Sequence, residues 1–283
     1  MRIKRYIKKA LQRPAAFVLC ILAVLLILIP VMAPWIAPND PIENDYTNIL
    51  IFGSRKYPMG TDQIGRCILS RLIYGGRTSL LIVFVVIFFS LLIGVGVGVT
   101  AGLCGGITDM LLSRLIDLAM AVPATVFTIA LVSVLGSGLG HTALALIIIG
   151  WGEYARISRS LVLSLKNSFY IEEAKLGGAR GFTLVRYYIL PNIVPYLLVV
   201  VTQDVGAKLL TMAGLSLLGL SSQPPTPEWG FMLSEGRRYI QTAPWLIFYP
   251  GLIIMLHVMI FGLLGDCLRD IFDPREQVTK RRK

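Results

Sequence analysis

Two uncharged stretches, Thr78 to Thr108 and Leu118 to Gly152, constrain this chain more than any other feature. Each far exceeds the ~20 apolar residues that carry a helix across a bilayer. Only 15% of the 283 residues are charged while 55% are hydrophobic, against about 25% charged in soluble domains. A soluble enzyme, a disordered chain and a disulfide-rich secreted domain are excluded. The fold class expected is all-α, a polytopic membrane protein.

Six spans fit the pattern. A basic tail covers 1–14, the first span 15–36 and an extracytoplasmic segment 37–77. The membrane core, 78–265, holds spans at about Thr78–Leu103, Leu112–Gly136, Thr142–Ile157, Ile193–Leu218 and a last one ending near Gly265. Within it, 158–191 is a cytoplasmic loop and 219–244 an extracytoplasmic one, and a basic tail covers 266–283. Length sets the break at Ser137–His141, because Leu118 to Gly152 as one helix would be about 50 Å long at ~1.5 Å per residue, against about 30 Å of hydrocarbon. The N-terminus resembles a signal peptide, but its apolar run continues to Ile36, so a retained helix is expected.

The net charge of +11 would suggest a polyanionic partner in a soluble chain. Here the basic residues gather in both tails and in the 158–191 loop. Cytoplasmic flanks of membrane helices concentrate Lys and Arg, so both termini are expected in the cytoplasm. No basic-aromatic interleaving marks a nucleic-acid surface, so a nucleic-acid partner is not expected, whereas membrane lipid is.

Enzymatic motifs are missing. No Gly-Lys dipeptide occurs, so there is no phosphate-cradling GxxxxGK[ST] loop, and HExxH and nucleophile-elbow patterns are absent too. Cys20, Cys67, Cys104 and Cys267 lie in separate segments without metal-ligand spacing. His141 and His257 are isolated. No catalytic residue, metal site or cofactor is expected in this chain. Gly94, Gly98 and Gly102 recur every fourth residue, the spacing of a smooth groove for close helix approach.

The loop between the fourth and fifth spans is the most informative part. Its stretch up to Leu176 reads as a helix with Glu172 and Glu173 near its start, where the helix dipole favours negative charge. Gly177, Gly178 and Gly181 allow a sharp turn, Phe182–Leu190 can form a second short helix, and Pro191 is expected to re-aim the chain into the fifth span. Such a helix-turn-helix suits docking into a cleft on another protein.

Glu172-x-Ala174, Gly178 six residues after the Glu, and Leu190-Pro191 twelve further on resemble the EAA motif of ATP-binding-cassette (ABC) import permeases. Glu173 stands where that motif has a second alanine. Pro58 to Leu72 resembles the GTDxxGRDxxSRL signature of the C-type permeases for dipeptides, oligopeptides and nickel, with Cys67 in place of aspartate. Ser216–Leu220, Gln223–Gly230 and Gly265–Asp270 are similar to the same group.

The resemblance implies a type I ABC importer permease fold in a bacterial inner membrane. It also implies a second, homologous permease subunit, an extracytoplasmic binding protein, and two ATPase subunits that hold ATP and Mg. Glu172, Glu173, Ala174, Gly178, Leu190 and Pro191 would couple the chain to the ATPases. Gly60, Thr61, Asp62, Gly65, Arg66, Pro225, Glu228 and Trp229 lie in segments that would face the binding protein, or form rigid turns and interfacial anchors. The substrate class would be small peptides or nickel.

Asp204 and Lys208, four residues apart in the fifth span, share a helix face. Each charge at the bilayer centre costs about 2.5–3.5 kcal/mol on insertion scales. They form either a mutually neutralising pair or part of a substrate path. Glu153 is expected at the interface, beside Arg156. A stand-alone transporter driven by an ion gradient is the rival reading, and it would require an ionisable relay across several spans.

Overall fold

The computed structural model describes residues 14–272. The basic tail residues through Arg13 and from Asp273 onward lie outside the described residues, and with them most of the charges read as setting topology. Among the described residues the regular structure is helical, apart from one isolated bridge between Thr61 and Cys67. In chain order the helices are α1 (Pro14–Val31), α2 (Ala33–Ile36), α3 (Ile68–Cys104), α4 (Gly106–Ala121), α5 (Ala124–Leu135), α6 (Leu139–Lys166), α7 (Phe169–Leu176), α8 (Gly181–Leu184), α9 (Leu190–Leu217), α10 (Trp229–Gly236) and α11 (Trp245–Phe272).

Among the described residues four helical stretches are long and apolar enough to cross a membrane: Pro14–Val31, Ile68–Cys104, Gly181–Leu217 and Trp245–Phe272. A fifth arises if α4 and α5 are one span bent by 81°. α6 is equally long, but its second half carries Glu153, Arg156, Arg159 and Lys166. Many large apolar side chains of these helices face outward, among them Leu81, Phe88, Leu92 and Phe248. Lipid rather than water solvates such a surface.

Three local expectations are corrected. α3 begins ten residues before Thr78, because Arg71 in its first turns is buried and ion-paired rather than solvated. The third span is not one straight helix, since α4 ends at Ala121 and α5 starts at Ala124. Pro123 cannot donate to the helical ladder and pushes the preceding Val122 to an extended φ of −95° and ψ of 132°. Pro191, finally, does not re-aim the chain: Gly181 to Leu217 runs as one helix of 37 residues. Val185–Ile189 winds as a π-helix just before it, and this wider turn accommodates the missing N–H.

The glycine stripe sets the tightest packing. A Cβ on Gly94 would lie 2.5 Å from the Tyr154 Cβ, one on Gly98 would lie 2.3 Å from the Ala155 carbonyl oxygen, and one on Gly102 would lie 2.7 Å from a Val162 methyl. α3 and α6 thus touch backbone to backbone along three turns. α9 and α11 approach almost as closely, since a Cβ on Gly265 would meet Gln203 Cγ at 2.4 Å and one on Gly206 would meet Val258 Cα at 3.1 Å.

Two apolar cores result. The larger joins Val83, Val86, Tyr154, Val205, Leu209, Met212 and Trp229. The smaller, at the α7 end, joins Val99, Val162, Ile171, Ala174, Leu184, Ile189 and Ile193.

Candidate functional site

The first functional element is α7, whose sequence explains both its ends. Glu172 lies in its first turn and Lys175 in its last, each complementing the helix dipole. Gly178 takes a φ of +89°, its N–H bonds the Lys175 carbonyl at 3.0 Å, and the Ala179 N–H bonds the Ala174 carbonyl at 2.9 Å. This pair of bonds is a Schellman closure, which requires a left-handed residue at the Gly178 position. α7 is two-faced: Ile171 and Ala174 are buried, whereas Glu172, Glu173 and Gly178 are exposed. Phe169, Leu176 and Phe182 also project outward, at 74%, 89% and 72% exposure. Leu190 is half-buried and Pro191 exposed, at the start of α9. An apolar surface edged by carboxylates, with its inner face packed against α3, α6 and α9, can pass a push on one face to three long helices.

The second element lies within the candidate span Gly181–Leu217. Lys208 Nζ and Asp204 Oδ1 are 3.2 Å apart, with side chains 15% and 10% exposed. The Tyr154 hydroxyl of α6 donates to Asp204 Oδ2 at 2.7 Å. The expected pair is therefore joined by a second helix, α6, and sequence reading missed Tyr154. Its signal was weak: a Tyr in an apolar helix is ordinary until a charge is placed opposite. Glu153 is not the partner of Arg156, which reaches Asp117 at 3.1 Å instead, while Arg159 forks onto Asp109 at 2.6 and 2.8 Å.

The third element corrects the binding-protein surface. Gly60, Thr61, Asp62, Gly65, Arg66, Glu228 and Trp229 are all buried, and only Pro225 of that set is exposed. Arg66 bonds Asp62 at 2.6 Å and Glu235 at 2.7 Å, and Arg71 bonds Glu235 at 2.6 Å. Glu235, which sequence reading missed, thus ties the Pro58–Leu72 segment to α10. The glycines are there for space as well as turn geometry: a Cβ on Gly65 would sit 1.9 Å from the Asp45 carbonyl oxygen, and φ there is +82°.

Glu228 caps α10, accepting from the N–H groups of Gly230 and Phe231 at 2.8 and 2.7 Å. Ser79 and Ser216 donate to the same carboxylate at 3.1 and 2.8 Å. The Trp229 indole N–H bonds the Leu72 carbonyl at 2.8 Å, and its ring packs against His257 at 4.7 Å. These residues brace α3, α9, α10 and α11 from within, so a docking protein would meet the exposed residues around them. Among the described residues no group of three or more His, Cys, Asp or Glu side chains is arranged to hold a metal ion.

Comparison with known proteins gives this geometry a family. Residues 94–278 match the family described as binding-protein-dependent transport system inner membrane component. The dipeptide transport system permease protein DppC of Haemophilus influenzae is 39% identical over 270 residues, covering 93% of this chain and 92% of that protein. The nickel transport system permease protein NikC of Escherichia coli is 38% identical over 254 residues, 90% and 92% of the two chains. The glutathione transport system permease protein GsiD of Escherichia coli is 40% identical over 262 residues, 92% and 86%. In fold, the chain is similar to an inward-facing MetNI methionine ABC transporter structure, with a TM-score of 0.57 at 19% identity, covering 71% of this chain and 95% of that one. The chain belongs to the binding-protein-dependent transport system inner membrane components, the permease subunits of ABC transporters.

Proposed function

We propose that this chain is one of two paired permease subunits of an ATP-driven importer in the bacterial inner membrane. Two ATPase subunits in the cytoplasm would hold ATP and Mg, and an extracytoplasmic binding protein would deliver the substrate. Both termini lie in the cytoplasm and the chain crosses six times. The six crossings are α1, α3, the bent α4–α5 pair, α6, α8–α9 and α11. In α6 the apolar half sits in the bilayer and the charged half emerges toward α7.

One observation carries this reading: the outer face of α7 is free while Ile171 and Ala174 are packed in one core with Val99, Val162 and Ile193. Closure of the ATPase dimer would press on Glu172 and Glu173 and move the spanning helices. ATP state would shift the pore only by the difference in docking energy between its two forms. Scrambling Glu172 to Gly178 is expected to lose the ATPase on co-purification. Gly178→Pro, which forbids the left-handed φ, and Glu172→Lys are expected to uncouple ATP hydrolysis from uptake in reconstituted vesicles. Normal ATP-dependent uptake in both point variants would refute the coupling role.

For substrate class we infer small peptides, which fit a path bordered by one acidic and one basic group, Asp204 and Lys208. Titrating the partner binding protein with dipeptides and with Ni²⁺ tests this. Tight Ni²⁺ binding without peptide binding would overturn it.

A further inference from the structure

α1 and α3 diverge along an open apolar groove of about 490 Å³, bounded by Ile27 and Pro30 on α1 and by Leu80, Leu81, Phe84 and Phe88 on α3. Arg77 lies at one end of it and is exposed. That end belongs to the membrane surface rather than its middle, because Pro30 near the end of α1 packs against Gly76. From Arg77 the groove runs to Phe88, about 17 Å at ~1.5 Å per residue, roughly half the ~30 Å hydrocarbon thickness.

Two properties define the occupant. The first is the lining: Ile27 and Pro30 on one wall and Leu80, Leu81, Phe84 and Phe88 on the other are apolar, and the groove is open along its length, so a flexible hydrocarbon chain can lie along it. The second is charge. Among the described residues Arg77 makes no hydrogen bond or ion pair, unlike the neighbouring Arg66 and Arg71, which are both ion-paired. A guanidinium at an apolar rim is matched by a phosphate, which it can bind with two parallel hydrogen bonds. A phosphate carried on an acyl chain half a bilayer long is a phospholipid.

We propose that the α1–α3 groove is a binding site for an anionic phospholipid, its phosphate on Arg77 and one acyl chain along Leu80 to Phe88. The lipid fills the space between α1 and the body of the subunit and fastens this first helix to α3. The inference rests on reading α1 and α3 as spanning helices, and concerns neither the ATPase nor the transported substrate.

The test uses the assembled transporter, purified in mild detergent with phosphatidylglycerol and observed by native mass spectrometry. The native complex is expected to retain one phosphatidylglycerol that Arg77→Gln loses, with binding weakened roughly tenfold, as expected for losing charge-assisted hydrogen bonds. Leu81→Trp keeps Arg77 and obstructs the groove from its 60% exposed face, and is expected to lose the same lipid. Diacylglycerol, which has chains but no phosphate, and inorganic phosphate, which has no chain, are each expected to fail as substitutes. Equal lipid retention in the native complex and both variants would overturn the proposal. So would disulfide crosslinking of the second permease subunit to Leu81→Cys in the assembled complex. Co-purification of the ATPase with every variant, expected here, separates failure of this site from failure of the importer reading.

Discussion

The Asp204–Lys208 pair yields the sharpest quantitative expectation. At 3.2 Å, opposite unit charges attract by about 5 kcal/mol at an effective dielectric constant of ~20. Desolvating both groups offsets much of that gain. The asymmetry follows from what each substitution leaves behind. Asp204→Leu leaves the Lys208 ammonium without its carboxylate in an apolar zone, and the Tyr154 hydroxyl without its acceptor. Breaking a buried pair from one side costs about 3–5 kcal/mol, whereas replacing both partners with apolar groups of similar size is often neutral. Asp204→Leu and Lys208→Met are each expected to destabilise the assembled transporter by about 3 kcal/mol or more. The double variant is expected to recover to within ~1 kcal/mol of native. Denaturant unfolding of the complex in nanodiscs, run as a double-mutant cycle, measures this. If the double variant is as unstable as the two losses added together, the electrostatic argument fails. Uptake by the stable double variant then separates the roles, because a path residue is still missed there and a purely structural pair is not.

Other expectations follow from the same geometry. Gly98→Leu drives a side chain into the Ala155 carbonyl 2.3 Å from its Cβ and should cost about 1–3 kcal/mol or more by overpacking, read as a lower unfolding midpoint of the complex. Glu228→Ala removes four hydrogen bonds from one buried carboxylate; a loss of about 3 kcal/mol is expected, with α10 amides exchanging fastest with deuterium. Asp45, in the 37–67 segment, accepts hydrogen bonds from Thr47, Tyr57, Asn48 and Lys56, which hold its carboxyl well below the usual carboxylate range. A depressed folded value means that this contribution is full above the ordinary carboxylate pKa of 3.8 and fades as pH falls through the lower folded one. Amide protection of Thr47 and Asn48 is therefore expected to persist at pH 4 and drop in stronger acid, and Asp45→Asn is expected to abolish that dependence.

How much of this was legible depends on the range of the interaction involved. The membrane class and the glycine groove were readable because each is local: an uncharged run and a four-residue spacing need no knowledge of the partner helix. The helix ending near Gly178 was readable for the same reason, since a Schellman closure is encoded within a few residues. Pro123 was equally local, but its effect was masked by a continuous apolar run, and hydrophobicity says nothing of direction. The fate of Thr61, Asp62, Arg66 and Glu228 was illegible. Polar residues in an outer segment look exposed until their partners are known, and Glu235 lies far along the chain from Arg66 and Arg71. Tyr154 is hidden likewise, since only the packing of α6 against α9 brings it to Asp204.

The close backbone contacts also fix where this subunit can deform. α3 and α6 interlock at Gly94, Gly98 and Gly102, and α9 and α11 interlock at Gly206 and Gly265. Rolling or sliding either pair would drive these glycine faces into a neighbouring backbone or side chain, so each behaves as a stiff plank. Two polar links cross the seam between the planks: the Tyr154 hydroxyl on Asp204, and the Glu228 carboxylate that takes bonds from Ser79 of α3 and Ser216 of α9. α7 sits where the chain passes from one plank to the other, between α6 and α9. In the proposed coupling, a push on α7 would change the relative angle of the two planks and leave the shape of each unchanged.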